Sequence, residues 1–149
     1  MAHDFVNFPE LTDSQMDIYY FQSPHKQIFE DFRATCTKVH DGDTITVRWS
    51  QRDFDFPIRF INIAAPELKE DGGKESKNWL ETKVLGEEVD IKIDPRNRVE
   101  KWGRLLGKIE LKSIDLGEES VTMGKSVPWE QRKDGIIPDF NKELNKPWA

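Results

Sequence analysis

Between Phe32 and Trp49 the side chains alternate. Phe32, Ala34 and Cys36 are interleaved with Arg33, Thr35 and Thr37; beyond His40-Asp41-Gly42-Asp43, Ile45, Val47 and Trp49 are interleaved with Thr44, Thr46 and Arg48. A period of two marks a half-buried strand, and two such runs around a Gly-containing turn make a hairpin. Phe56 to Ile63 reads as a third strand, mostly apolar and ended by Pro66. Gly72-Gly73 breaks the chain before a helix at about Lys74–Leu85, whose Trp79, Leu80, Val84 and Leu85 share one side and which Gly86 stops. Val89, Ile91 and Ile93 alternate in a fourth strand, and Leu105 to Leu111 is a fifth. A short helix follows at about Gly117–Met123 and ends at Gly124.

Five strands with a helix between the third and fourth fit a mainly β fold with helices (α+β). The expectation is a five-stranded Greek-key barrel of the oligonucleotide-binding (OB) type, with a C-terminal helix and an N-terminal extension. The expected organisation is an acidic, aromatic-rich extension over 1–31, the barrel domain over 32–129, and a tail over 130–149 rich in Pro and Lys. In the extension, Thr12, Asp13 or Ser14 caps a short helix through Phe21, which Ser23-Pro24 stops. Its aromatics, Phe5, Phe8, Tyr19, Tyr20, Phe21 and Phe29, have two uses: packing on the barrel, which is favoured, or docking on a protein partner through residues 1–30.

Composition narrows the class. A chain of 149 residues makes one ordinary domain. Sixteen aromatics argue against disorder. No run reaches the roughly 18 apolar residues of a membrane span, and the first ten residues do not read as a secretory signal. A single cysteine, Cys36, makes no internal disulfide and no metal motif. The expectation is an intracellular monomer with no membrane association.

A formal charge of −6 argues against a general nucleic-acid binder, since phosphate contacts need Lys and Arg. The acid is unevenly placed, however. Residues 1–31 carry −5, whereas 92–112 carry +4 through Lys92, Arg96, Arg98, Lys101, Arg104, Lys108 and Lys112 against Asp94, Glu100 and Glu110. That segment reads either as a local basic surface or as an ordinary solvated loop between strands.

Three segments carry chemistry. Asp41-Gly42-Asp43-Thr44 sets two carboxylates across a tight turn, where they can offer oxygens to a hard cation such as Ca²⁺ or Mg²⁺ or simply form a hairpin turn. In Ile58-Arg59-Phe60 an arginine interrupts an apolar strand, where it must reach water or meet an anion; Ala64-Ala65-Pro66-Glu67 then ends the strand on a carboxylate. Glu100-Lys101-Trp102-Gly103-Arg104 gathers two cations and an aromatic in one loop, a set that can grip a phosphate and stack on a base, or form a surface loop around a packing Trp.

In this order and spacing the three segments resemble the thermonuclease (staphylococcal-nuclease-like) family from about Phe32 to about Trp129. The resemblance implies an OB-type barrel that hydrolyses phosphodiester bonds of DNA and RNA with Ca²⁺. It implies that Asp43 is the principal metal carboxylate, with Asp41 and the carbonyl of Ala65 beside it. It implies that Arg59 and Arg104 clamp the scissile phosphate and that Glu67 assists the attacking water. Lys101, Trp102 and Trp129 match positions near the substrate. The family pattern has Asp and Thr before Pro-Glu, where this chain has Ala64 and Ala65. Ala64 removes a metal carboxylate, so the ion is bound more weakly, is another one such as Mg²⁺ or Mn²⁺, or is not bound, with Asp41 or Asn62 as candidate compensation. The alternative is a nucleic-acid-binding OB module whose catalysis is weakened or lost.

Overall fold

The computed structural model describes residues 5, 8–12, 15–16, 19–100 and 103–129. A 3₁₀ turn, Tyr20–Gln22, is followed by β1 (Phe32–Asp41), β2 (Thr44–Arg48), β3 (Phe56–Phe60), β4 (Ile63–Ala64), α1 (Gly73–Val84), β5 (Glu88–Lys92), β6 (Leu105–Leu111), β7 (Ile114–Asp115), α2 (Leu116–Thr122) and β8 (Val127–Pro128). The expected tail over 130–149 lies outside the described residues.

The sheet runs β3-β2-β1-β5-β6-β7, and a parallel β3–β6 pairing closes β1, β2, β3, β5 and β6 into a five-stranded barrel. β1 makes closure possible. Its first residues, Phe32 to Thr35, pair with β5, and Thr35 to Asp41 pair with β2. Register shifts between Cys36 and Lys38 and between Val39 and Asp41 let this ten-residue strand bend from one neighbour to the other. The inward set of the alternation fills the interior: Ala34, Cys36, Val39, Ile45, Val47, Phe56, Ile58, Phe60, Val89, Ile91, Leu105 and Ile109 are all buried. Leu80 and Val84 of α1 and Leu116 of α2 join the same core.

The expected third strand is shorter than read. It stops at Phe60, where the Ile61 N–H to the Gly107 carbonyl at 3.0 Å is the last rung of the β3–β6 ladder, and Ile63–Ala64 leaves the barrel to pair with Val127–Pro128. The α1 helix begins one residue early, at Gly73. The ideal Cβ position at Gly73 lies 1.9 Å from the Glu67 carbonyl oxygen, so only glycine allows the helix to start against the Pro66-Glu67 segment. Asp115 caps α2 by accepting the Glu118 N–H at 3.0 Å.

The N-terminal segment is anchored on the barrel by apolar, ionic and aromatic contacts. Leu11 and Ile28 are buried, and so is the carboxylate of Glu10. Glu10 lies between Arg52 of the β2–β3 loop and Arg98 of the β5–β6 loop, with Arg98 Nη1 at 3.1 Å and the Ile28 N–H also donating at 3.1 Å. Two guanidiniums against one carboxylate leave a buried positive charge, which aromatic faces take up. Arg52 lies 4.6 Å from the Phe56 ring centroid and Arg98 4.1 Å from that of Phe29. Phe5 sets its ring edge against His25, whereas Phe21 is 96% exposed. Among the described residues no helix is long and apolar enough to cross a membrane.

Candidate active site

The β1–β2 turn sets Asp43 at the barrel rim. Gly42 is required there, since a Cβ would fall 1.9 Å from Ser76 Oγ on α1 and 2.7 Å from the Ala65 methyl. The turn therefore sits pressed between helix and strand end. Antiparallel pairing of β2 with β3 puts Thr44 opposite Arg59. Arg59 is 7% exposed and meets the anion its strand position demanded: its Nη2 donates to Asp43 Oδ2 at 3.2 Å, and its Nη1 to the Phe60 carbonyl at 2.9 Å. The Ala65 N–H donates to the same Asp43 oxygen at 3.0 Å, tying the strand end to the turn.

Arg104 reaches the site from the start of β6. Its Nη1 donates to Thr44 Oγ1 at 3.5 Å, and Thr44 Oγ1 donates to Asp43 Oδ1 at 3.1 Å. A relay Arg104–Thr44–Asp43–Arg59 thus joins both guanidiniums through one hydroxyl and one carboxylate. Arg104 also forms a fork with Glu100, through Nε to Oε1 at 3.0 Å and Nη2 to Oε2 at 3.1 Å. Glu100 is a partner that reading the sequence left unassigned; its i, i+4 spacing from Arg104 was the available signal. Thr44 was likewise missed as a bridge. The Trp129 ring lies under the Arg59 guanidinium, 4.7 Å from centroid to Cζ, where the planar cation stacks on an aromatic face.

The electrostatics fit a crowded acidic turn in a cationic rim. The Asp41 carboxyl is pushed up to about 7, first by burial and then by the charge of Asp43, while Arg104 pulls it the other way. The His40 imidazole is lowered, first by burial and then by Lys38, Arg104 and Lys77. Asp41 Oδ1 also accepts the Asp43 N–H at 3.1 Å.

The remaining expected residues are placed as follows. Glu67 is exposed, two residues beyond the Ala65 N–H that bonds Asp43. Ala64 is 1% exposed and packs with Val127 and Trp129, so its methyl lies in a small apolar cluster. Asn62 faces α2: its Nδ2 donates to both carboxylate oxygens of Asp115 at 3.3 Å, and its Oδ1, buried with no hydrogen-bond partner among the described residues, lies 2.7 Å from the ideal Cβ position of Gly117. Lys101 and Trp102 lie outside the described residues. Among the described residues no three His, Cys, Asp or Glu side chains cluster as a metal site. What the turn does offer is all oxygen: the Asp41 and Asp43 carboxylates and the Thr44 hydroxyl. That donor set fits a hard divalent cation with a reduced count of carboxylates.

The fold is a closed five-stranded OB-type barrel with two helices, and two linked arginines and an acidic turn lie together at its rim. The model of the family described as staphylococcal nuclease homologue matches residues 57–144. The chain is 31% identical over 118 residues to a protein of Escherichia coli O157:H7 named "Uncharacterized endonuclease", an alignment covering 78% of this chain and 74% of that protein. A protein of the same name from Escherichia coli matches equally well over the same shares. The chain belongs to the staphylococcal nuclease homologue family.

Proposed function

We propose that the protein is a nuclease that hydrolyses phosphodiester bonds in DNA, RNA or both, with a divalent cation at the Asp41–Asp43 turn. The observation that carries the reading is the relay: one hydroxyl and one carboxylate hold Arg59 and Arg104 on the same rim. Family membership and the printed names of the two relatives support it from outside the structure.

The chemistry follows from charge. A phosphodiester is anionic and repels nucleophiles, and further charge develops on its non-bridging oxygens as water attacks. Arg59 and Arg104, held on one rim, offer two guanidiniums to that charge. Glu67, at the end of the rigid Ala65-Pro66 segment, takes the proton of the attacking water as the new P–O bond forms and the bond to the departing sugar oxygen breaks. Asp41, Asp43 and the Ala65 carbonyl would hold the cation, which would polarise the phosphoryl group as a Lewis acid. Glu100 keeps Arg104 extended before substrate arrives, and the phosphate competes with it for the same fork of donors. Lys101, Trp102 and Trp129 supply contacts to the neighbouring phosphate and base.

A second reading is favoured by one observation. With the Ala64 methyl packed on Val127 and Trp129, the chain is a binding module with weakened or lost catalysis. Incubation with single- and double-stranded DNA and with RNA, in Ca²⁺, Mg²⁺, Mn²⁺ or chelator, separates the two. We expect cleavage with a divalent cation and none with chelator. Cleavage indifferent to chelator contradicts the role of the cation, and salt-sensitive binding without cleavage establishes the binding module.

A further inference from the structure

We propose that Glu10 is a positioning residue for Arg104, so that the N-terminal segment forms part of the phosphate-binding apparatus. The inference rests on the functional reading above and deepens it. Glu10 is 1% exposed and holds Arg98, itself 3% exposed, by a charged hydrogen bond of 3.1 Å. Arg98 is further fixed by the Leu11 carbonyl, which its Nη2 meets at 3.1 Å, and by the Ile28 carbonyl. All these partners belong to the N-terminal segment.

Arg98 stands at the base of the loop that carries Arg104. Its carbonyl accepts the Leu106 N–H at 2.7 Å, and Val99 bridges Leu105. One step further out, the Glu100 N–H donates to the Arg104 carbonyl at 3.0 Å and the Gly103 N–H to the Glu100 carbonyl at 2.8 Å. The Glu100 carboxylate then grips the Arg104 guanidinium. The path from Glu10 to Arg104 therefore has two hydrogen-bonded links joined by backbone: Glu10 holds Arg98, and two residues along the chain Glu100 holds Arg104. A second contact of the same segment meets the same loop. The ideal Cβ position at Gly103, whose φ is +86°, lies 2.8 Å from the Phe8 ring, so ring and backbone are in close contact.

Glu10 ties the loop that carries Arg104 to the N-terminal segment and, through Arg52, to the β2–β3 loop as well. With Glu10 neutralised, Arg98 loses the carboxylate that balances it, the base of the loop loosens, and Arg104 drifts from the relay. Misplacement of about 1 Å in a group that acts in the transition state costs on the order of 10²-fold in rate.

The test uses the full chain with Glu10→Gln and Phe8→Ala, and with Phe21→Ala as control on the exposed part of the same segment. Amide hydrogen exchange and steady-state cleavage of DNA with a divalent cation are measured well below the melting temperature. We expect exchange at Glu100, Gly103 and Leu106 to speed up by about tenfold or more while Ile45 and Ile58 stay protected. We expect kcat to fall by about 10- to 100-fold with KM held within about twofold, and Phe21→Ala to match the parent. A purely structural role would lower the melting temperature and leave kcat and loop exchange at the parent values; that result overturns the proposal. If Glu10→Gln does not fold, Phe8→Ala decides alone on the same readouts. If the parent chain does not cleave, the nuclease reading fails, and loop exchange still decides whether Glu10 and Phe8 hold the loop.

Discussion

A methyl group at position 42 has nowhere to go. It would meet Ser76 Oγ, Ser76 Cβ at 2.9 Å and the Ala65 methyl, none of which is the end of a flexible side chain. Gly42→Ala should therefore cost about 1–3 kcal/mol by overpacking, seen as a lowered melting temperature. An unchanged melting temperature would mean that turn and helix are not in contact. Ala64 poses the opposite question, that of a missing group. Ala64→Asp restores a carboxylate to the strand end, and cation affinity follows ligand charge, so calorimetric titration with Ca²⁺ should show binding tightened by about tenfold or more. No gain would place the cation elsewhere. At this scale the sequence was informative where a residue broke its local pattern. Arg59 inside an apolar strand had to reach water or meet an anion, and it meets Asp43. Glu10 broke no pattern. Nothing near it announces a carboxylate that pairs with arginines 42 and 88 residues away.

The elements were legible wherever apolar spacing recorded a buried face. The β1–β2 hairpin, α1, β5, β6 and α2 stand within a residue or two of their expected positions, apart from the longer run of β1 to Asp41. The third strand was overextended because Ile61 and Ile63 keep an apolar character past Phe60, and the exit from the barrel is decided by Val127–Pro128, far along the chain. β1 carries a chemical consequence of its own. Cys36 is fully buried, and desolvation pushes its thiol up to about 11. A thiol pKa raised on folding above its ordinary value of 9.0 adds stability that is complete below pH 9 and is lost as the pH climbs toward 11. A thiol-titrating reagent at pH 8 should leave native Cys36 unmodified and react at once in denaturant. Cys36→Ser should flatten the loss of stability between pH 9 and 11. Rapid native labelling at pH 8 would contradict the burial.

At the scale of the molecule, net charge and function point in different directions. The chain carries −6, yet the rim that would meet a phosphate is set by Arg59 and Arg104, with their acidic partners Asp43 and Glu100 beside them. Global charge could not reveal such a site, because the cations act through placement rather than number. The barrel brings them together by pairing β3 with both β2 and β6, which lets Arg59 and the start of β6 share one edge. Of the two arginines, Arg59 is the poor probe: it is buried against Asp43, and its loss would leave an uncompensated buried charge that unsettles the fold. Arg104, with its side chain 36% exposed, can be removed with the barrel intact.

The most direct measurement is the rate of phosphodiester cleavage by the parent chain and by Arg104→Ala, in the same divalent cation and at matched folded concentration. The account predicts a fall of about 10²–10³ in kcat with the melting temperature nearly unchanged. Equal rates would contradict it, because the exposed guanidinium at the end of the relay would then have no part in the reaction.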